Sequence, residues 1–204
     1  MTYLFAHPAA VAGRLGEHLV LVAVSLAIAL AIAFPLGVLV ARKPRAGGIV
    51  LGILGAIYTI PSLALLALLV AALGLGTTTA IVALVAYAQM LLVRNIAEGL
   101  RGVAPAAVDA ARGLGFTPLQ SLLRVELPLA LPAIVGGIRI ATVSLIGIAT
   151  IAAWIDAGGL GALVFAGLHQ DDPQKIFAGS IAAVALALVA DGALRLAERV
   201  TARG

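Results

Sequence analysis

The chain contains no cysteine, so neither a disulfide framework nor thiol chemistry is available to it. Charge is almost as scarce. Only 11% of its 204 residues are charged, against roughly 25% in soluble domains. Aromatic residues are few and scattered, at 4% with a single Trp. The three histidines, His7, His18 and His169, show no ligand spacing, so no metal site is read. What the chain has in quantity is hydrocarbon: 63% hydrophobic residues and a mean hydropathy of +1.18. These residues fall in long runs and not at amphipathic spacing, which argues for a lipid-embedded protein over a soluble core. The isoelectric point near 10.1 would suggest nucleic acid only if position were ignored. The basic residues sit at the ends of apolar runs, where the positive-inside rule accounts for them, and no nucleic-acid partner is expected.

Five spans are expected: about Leu19–Ala41, Gly48–Leu73, Thr77–Val93, Ala133–Trp154 and Ile176–Leu194. Each is long enough, or nearly so, for a hydrocarbon core of about 30 Å. The second is interrupted at Thr59-Ile60-Pro61-Ser62. Met1 to Gly16 carries no basic cluster, and the run behind it is too long for a signal core, so it reads as a short tail before a true span. Eleven of the thirteen basic residues lie on one side: Arg42, Lys43, Arg45, Arg94, Arg101, Arg112, Arg124, Arg139, Arg195, Arg199 and Arg203. That asymmetry places the N-terminus outside and the C-terminus in the cytoplasm. The expected fold is all-α, a polytopic membrane protein forming one transmembrane domain over residues 1–204. Gly48-x-x-x-Gly52, Gly55 and Gly136-Gly137 are expected to let helices approach closely.

Between Glu98 and Pro132 the hydrocarbon gives way to a charged stretch punctuated by glycine and proline. Two short helices are expected in it. One begins at Pro105, since proline suits a first helical position, and closes at Gly113 or Gly115. The other is capped by Thr117, with Pro118 next and Gln120 placed to complete a capping box, and ends before Pro128. Leu119, Leu122, Leu123 and Leu127 would then share a face. Helices this short need partners. An amphipathic hairpin on the membrane surface and a docking element for a soluble motor both satisfy that need.

The spacing decides between them by resemblance. Asp109-Ala110-Ala111, Gly115 after three residues, and Val125-Glu126-Leu127-Pro128 after nine more resemble the E-A-A loop of ATP-binding-cassette (ABC) importer permeases, with Asp for Glu and Val for Ile. The resemblance implies a cytoplasmic coupling loop over about 98–132 whose short helix sits in a cleft of an ATPase subunit. Asp109, Ala110, Ala111, Gly115, Thr117, Leu119, Leu127 and Pro128 would carry the ATPase coupling. It further implies a type I importer permease in the plasma (bacterial inner) membrane, working with an ATPase dimer, a second permease subunit and an extracytoplasmic binding protein. The chain has no G-x-x-x-x-G-K-[ST] loop to cradle phosphates. ATP and Mg would belong to the partner, and the chain itself would not be an enzyme and would need no cofactor.

Other stretches resemble the subunits for glycine betaine, choline and carnitine. They are Tyr58–Leu66, Arg124–Pro132, and Gly147–Ala153 leading into Ala157-Gly158-Gly159-Leu160-Gly161. The likeness spans about Val20 to Val200 and implies osmoprotectant cargo; a methionine or other amino-acid importer is the alternative. Quaternary ammonium groups are best held by aromatic cages, and with so few aromatics here, high-affinity capture falls to the binding protein. Pro61 frees a backbone carbonyl within a span, which is tolerated where a cavity is lined. Tyr58, Thr59, Pro61 and Ser62 are therefore pathway candidates, with a packing kink as the alternative. Asp156 and the glycine turn after it would form part of an outer gate or dock, followed by a short outer-surface helix from Leu160, with a solvated loop bearing a surface carboxylate as the alternative. Arg139 and Asp191 are expected to pair. A membrane-embedded enzyme would need converging catalytic groups that these spans do not offer.

Overall fold

The computed structural model describes residues 2–202; Arg203, the last of the basic tail residues named above, lies outside them. Every regular element among the described residues is helical. The order is α1 (Thr2–Ala6), α2 (Pro8–Arg42), α3 (Pro44–Thr59), α4 (Ser62–Leu73), α5 (Thr77–Arg101), α6 (Pro105–Gly113), α7 (Pro118–Ser121), a π-helical turn (Leu122–Glu126), α8 (Leu127–Ala152), a 3₁₀ turn (Ala153–Ile155), α9 (Leu160–His169) and α10 (Pro173–Thr201).

Proline opens α2, α3, α6, α7 and α10 within their first two positions, where its missing N–H costs nothing and its fixed φ suits a helix. Proline also ends helices, because it forces the preceding residue out of the α region. Lys43 before Pro44 closes α2, and Ile60 before Pro61 closes α3 at ψ 127°.

Four helices are long and apolar enough to cross a membrane, and α3 with α4 makes a fifth span bent by 96°. Taking that bent pair as one broken span gives the five expected. Several boundaries differ. α2 is 35 residues long, about 50 Å, so it begins well before Leu19 and takes in most of the supposed tail. α7, the π turn and α8 run on without a stop, as one 38-residue helical stretch from Pro118 to Ile155. The expected helix end before Pro128 is thus not there. The extra residue of the π turn lets the Leu127 amide bond back to Leu122. Pro128 falls at the start of the α-helical part, where it interrupts little. The wider turn also breaks the expected leucine face: Leu122 is buried while Leu119 and Leu123 are exposed.

α5 is the central helix, packed between α2 and α8, and Ala80, Ala83, Leu84, Ala88, Leu92, Val93 and Ile96 are all buried along it. With lipid outside, close van der Waals packing drives such association, and small residues permit it. Gly137 lies where a Cβ would collide with Asn95, and Gly99 where one would touch Ala133 at 3.1 Å. Gly48, Gly52 and Gly55 face open space in the single chain, so their close-approach surface has no partner within it. α10 is peripheral, with only Ala178 and Gly179 buried among its residues.

Candidate functional site

Three polar features interrupt the bundle. The first is α6 and the turn after it, standing between α5 and the α7–α8 stretch. Gly115 adopts φ +81°. Its amide bonds to the Arg112 carbonyl at 2.9 Å and that of Phe116 to the Ala111 carbonyl at 3.1 Å. These two bonds make a Schellman ending, in which the left-handed residue is normally glycine. No atom lies within 4 Å of the Cβ position, so glycine is required here by conformation and not by crowding. Thr117 then caps α7: its hydroxyl accepts from the Gln120 amide at 3.3 Å, while the Gln120 side chain accepts from the Thr117 amide at 2.9 Å. The capping box expected from sequence is present. Ala111 is buried, whereas Asp109, Ala110, Gly115, Thr117, Leu119 and Pro128 are exposed and Leu127 is half-buried. Asp109 pairs with Arg112 at 3.3 Å on the helix surface. Leu114 and Leu119 are 76% and 63% exposed, so a polar loop presents two bare leucines on either side of its glycine.

Sequence reasoning missed what ties this loop down. Arg42, at the end of α2, donates to both carboxylate oxygens of Glu126 at 3.0 and 3.1 Å, and Ser121 donates to Glu126 at 3.0 Å. Both bonds come from one guanidinium nitrogen, so the pair is a bifurcated, charge-assisted contact. Arg101 secures the other side, donating to the Val40 carbonyl at 2.5 Å. Glu126 is the variable position of the Val-Glu-Leu-Pro stretch, so nothing in the motif marked it.

The second feature is the broken span. Tyr58, Thr59 and Pro61 are exposed at the bend and Ser62 is half-buried. The Thr59 hydroxyl is used locally, donating to the Ala56 carbonyl at 2.8 Å. The freed carbonyl is that of Ile60, and Tyr87 of α5 donates its hydroxyl to it. Tyr58 packs edge-on against Tyr87, with ring centroids 5.8 Å apart and planes at 68°. Tyr87 was not singled out from sequence; it lies 27 positions from Ile60 in a helix that otherwise reads as core.

The third is the turn from α8 to α9. Asp156 is exposed with φ +64°, and Gly158 and Gly159 follow at +76° and +75°. Two successive side chains of α2 reach it. Glu17 accepts from the Gly159 amide at 2.9 Å, and His18 Nδ1 accepts from the Leu160 amide at 3.3 Å. His18, scattered as a sequence feature, is fully buried. Arg14, Glu17, Leu21, Thr77 and Asp156 line an adjoining cavity of about 520 Å³. The helix expected from Leu160 exists, with Leu160 and Leu163 buried against the bundle and Leu168 exposed.

Arg139 and Asp191 pair at 3.1 Å, as expected, linking α8 to α10. Glu198 adds a second carboxylate, 3.2 Å from Arg139 Nε but misaligned for a hydrogen bond.

Comparison with known proteins places this geometry. The chain is 41% identical over 183 residues to a choline transport system permease protein of Bacillus subtilis, covering 90% of this chain and 84% of that one. It is 38% identical to a glycine betaine/carnitine/choline transport system permease protein of the same organism, over 100% of this chain and 94% of that one. An osmoprotectant import permease protein of Salmonella typhimurium is 40% identical over 92% of this chain and 90% of its own. Among solved structures, an inward-facing MetNI methionine ABC transporter superposes with a TM-score of 0.85 at 24% identity, covering 94% and 95% of the two chains. That likeness shows the fold. A family model described as the inner membrane component of binding-protein-dependent transport systems matches residues 33–203. The chain is a multi-pass membrane protein belonging to that family of transport permeases.

Proposed function

We propose that this chain is the permease subunit of an ATP-driven importer for osmoprotectants such as glycine betaine, choline or carnitine. The observation that carries the coupling role is the exposed α6–Gly115–α7 turn, held at its base by Arg42 and Glu126 but bare at its tip. A short helix whose closing turn bears exposed Leu114 and Leu119 has the form of a plug for a cleft in another protein. On this reading Asp109, Ala110, Ala111, Gly115, Thr117, Leu119, Leu127 and Pro128 transmit closure of an ATPase dimer to the spans. ATP and Mg sit on that partner, and this chain does no chemistry. A second permease subunit completes the pathway, and its contact surface would include the unpartnered Gly48, Gly52 and Gly55 face of α3. An extracytoplasmic binding protein delivers cargo near Asp156. The arginine-rich face is cytoplasmic and the N-terminus outside, in the bacterial inner membrane, with one transmembrane domain over the whole chain.

The cargo class rests on the printed functions of the relatives at about 40% identity. A methionine-type cargo has only the fold likeness behind it. Uptake of labelled glycine betaine, choline and methionine by vesicles holding the assembled transporter separates the two. Gly115→Asp should abolish uptake while the chain still folds. Undiminished uptake in that variant, or failure of the purified chain to bind any ATPase subunit, overturns the coupling role.

A further inference from the structure

Resting on the quaternary-ammonium cargo proposed above, we infer that the open ring of Tyr58, braced by the buried Tyr87, is a cation–π station for that cargo at the bend of the second span. The bend lies between the two faces of the bundle: α3 starts beside the end of α2, while the turn after α4 is tied by Gly76 to the Ile155 carbonyl at the far end of α8, at 2.7 Å. Non-helical backbone at such depth cannot face lipid, because its polar groups would go unpaired. In the single chain Tyr58, Thr59 and Pro61 are nevertheless exposed. That exposure fits a wet pathway.

A cation passing there meets no carboxylate. From residue 46 to residue 93 the sequence holds no charged residue at all. Of the acidic groups elsewhere in the long helices, Asp191 and Glu198 lie against Arg139, Glu98 is paired with Arg94, and Glu17 is engaged with Arg14 and Gly159. A permanent cation that cannot donate hydrogen bonds is then stabilised by aromatic faces. Among the described tyrosines, Tyr3 lies in α1, and the other two are adjacent at this bend. Tyr87 is 5% exposed and held by the Ile60 carbonyl, so its ring is a fixed wall. Tyr58 is 41% exposed, which leaves ring surface open to the pathway. One open ring on a fixed support makes a weak station and not a cage, which suits a passage that must release what it receives.

The test uses the complete transporter, permease with ATPase and binding protein, in liposomes loaded with ATP, reading maximal choline uptake at saturating binding protein. Tyr58→Phe and Tyr58→Trp should retain uptake, and Tyr58→Leu should lose about ten-fold, the scale of one such contact. Phenylalanines bearing one, two and three fluorines at position 58 keep the shape while draining the ring face of charge, so uptake should fall with each fluorine. Equal uptake across the fluorinated series, or equal uptake by Tyr58→Leu and Tyr58→Phe, overturns the station while leaving the cargo reading intact. A wild-type complex that moves methionine but no quaternary ammonium overturns the cargo reading itself, and the station with it.

Discussion

Glu17 and Gly159 are joined by a 2.9 Å hydrogen bond across 142 positions of sequence, carboxylate to backbone amide. His18 takes the next amide, so the first turn of α9 is capped by a different helix. Caps normally come from the residue just before a helix. Here that residue is Gly159, which has no side chain to offer, and α2 supplies the acceptor.

Loss of this cap should be measurable as stability. Glu17→Leu is expected to cost about 1 kcal/mol, since the bond is charge-assisted but partly solvated. Glu17→Gln, which keeps an acceptor, should cost less. Thermal unfolding of the purified permease in detergent reads both. Equal melting temperatures for the wild type and both variants would show that the cap contributes nothing.

The ion cluster at the α8–α10 contact predicts an asymmetry. Asp191→Asn leaves Arg139 with Glu198, whereas Arg139→Leu leaves two carboxylates close together without their cation. Arg139→Leu should therefore be the more damaging, by about 1–2 kcal/mol for such partly buried groups. The triple replacement by apolar residues should recover most of that loss. Damage that adds up across the three sites would mean they act independently.

Gly161 is a steric requirement. A Cβ there would collide with the Thr150 carbonyl of α8 and lie 2.8 Å from the Ala153 side chain. Backbone cannot give way as a side-chain tip can, so Gly161→Ala should cost about 2–3 kcal/mol. Gly147→Ala, where nothing lies within 4 Å, is the matched control and should be nearly neutral. The two melting temperatures decide it.

The Arg42–Glu126 pair predicts a coupling defect. Arg42→Ala frees the base of the loop and leaves Glu126, whose side chain is 13% exposed, without its cation. Uptake should fall several-fold while ATPase subunits still bind. The exchange Arg42→Glu with Glu126→Arg should restore part of the loss, because the pair is direct. An exchange variant no better than either single one would remove the pair from the mechanism.

Much of this architecture was legible beforehand, and for definite reasons. Hydrophobic runs of membrane length mark spans wherever they occur, so the five-span count survived the shift of several boundaries. Pro105, Gly115 and Thr117–Gln120 act through their own backbone geometry, and α6, its Schellman ending and the capping box all appeared. Pro128 misled because a proline reads as a stop, while the preceding π turn lets the helix pass through it. The Gly48 and Gly52 spacing suggested close packing, yet within this chain those positions touch nothing. Glu198 was overlooked beside Arg139 because helical spacing alone does not show which turn of α10 comes opposite α8.

By itself, the sequence determined the solvent, the number of crossings, the basic face and the polar turn, since each depends on residues near one another in the chain. Only the tertiary structure decided that Tyr87 seals the break at Ile60, that Arg42 clamps Glu126, and that Glu17 and His18 cap α9. These contacts join residues 27 to 142 positions apart. Local propensity carries no information about them. They arise when helix packing brings an unpaired backbone or charged group within reach of a side chain that can satisfy it, and at the Ile60 break, inside a span, lipid could not do so instead.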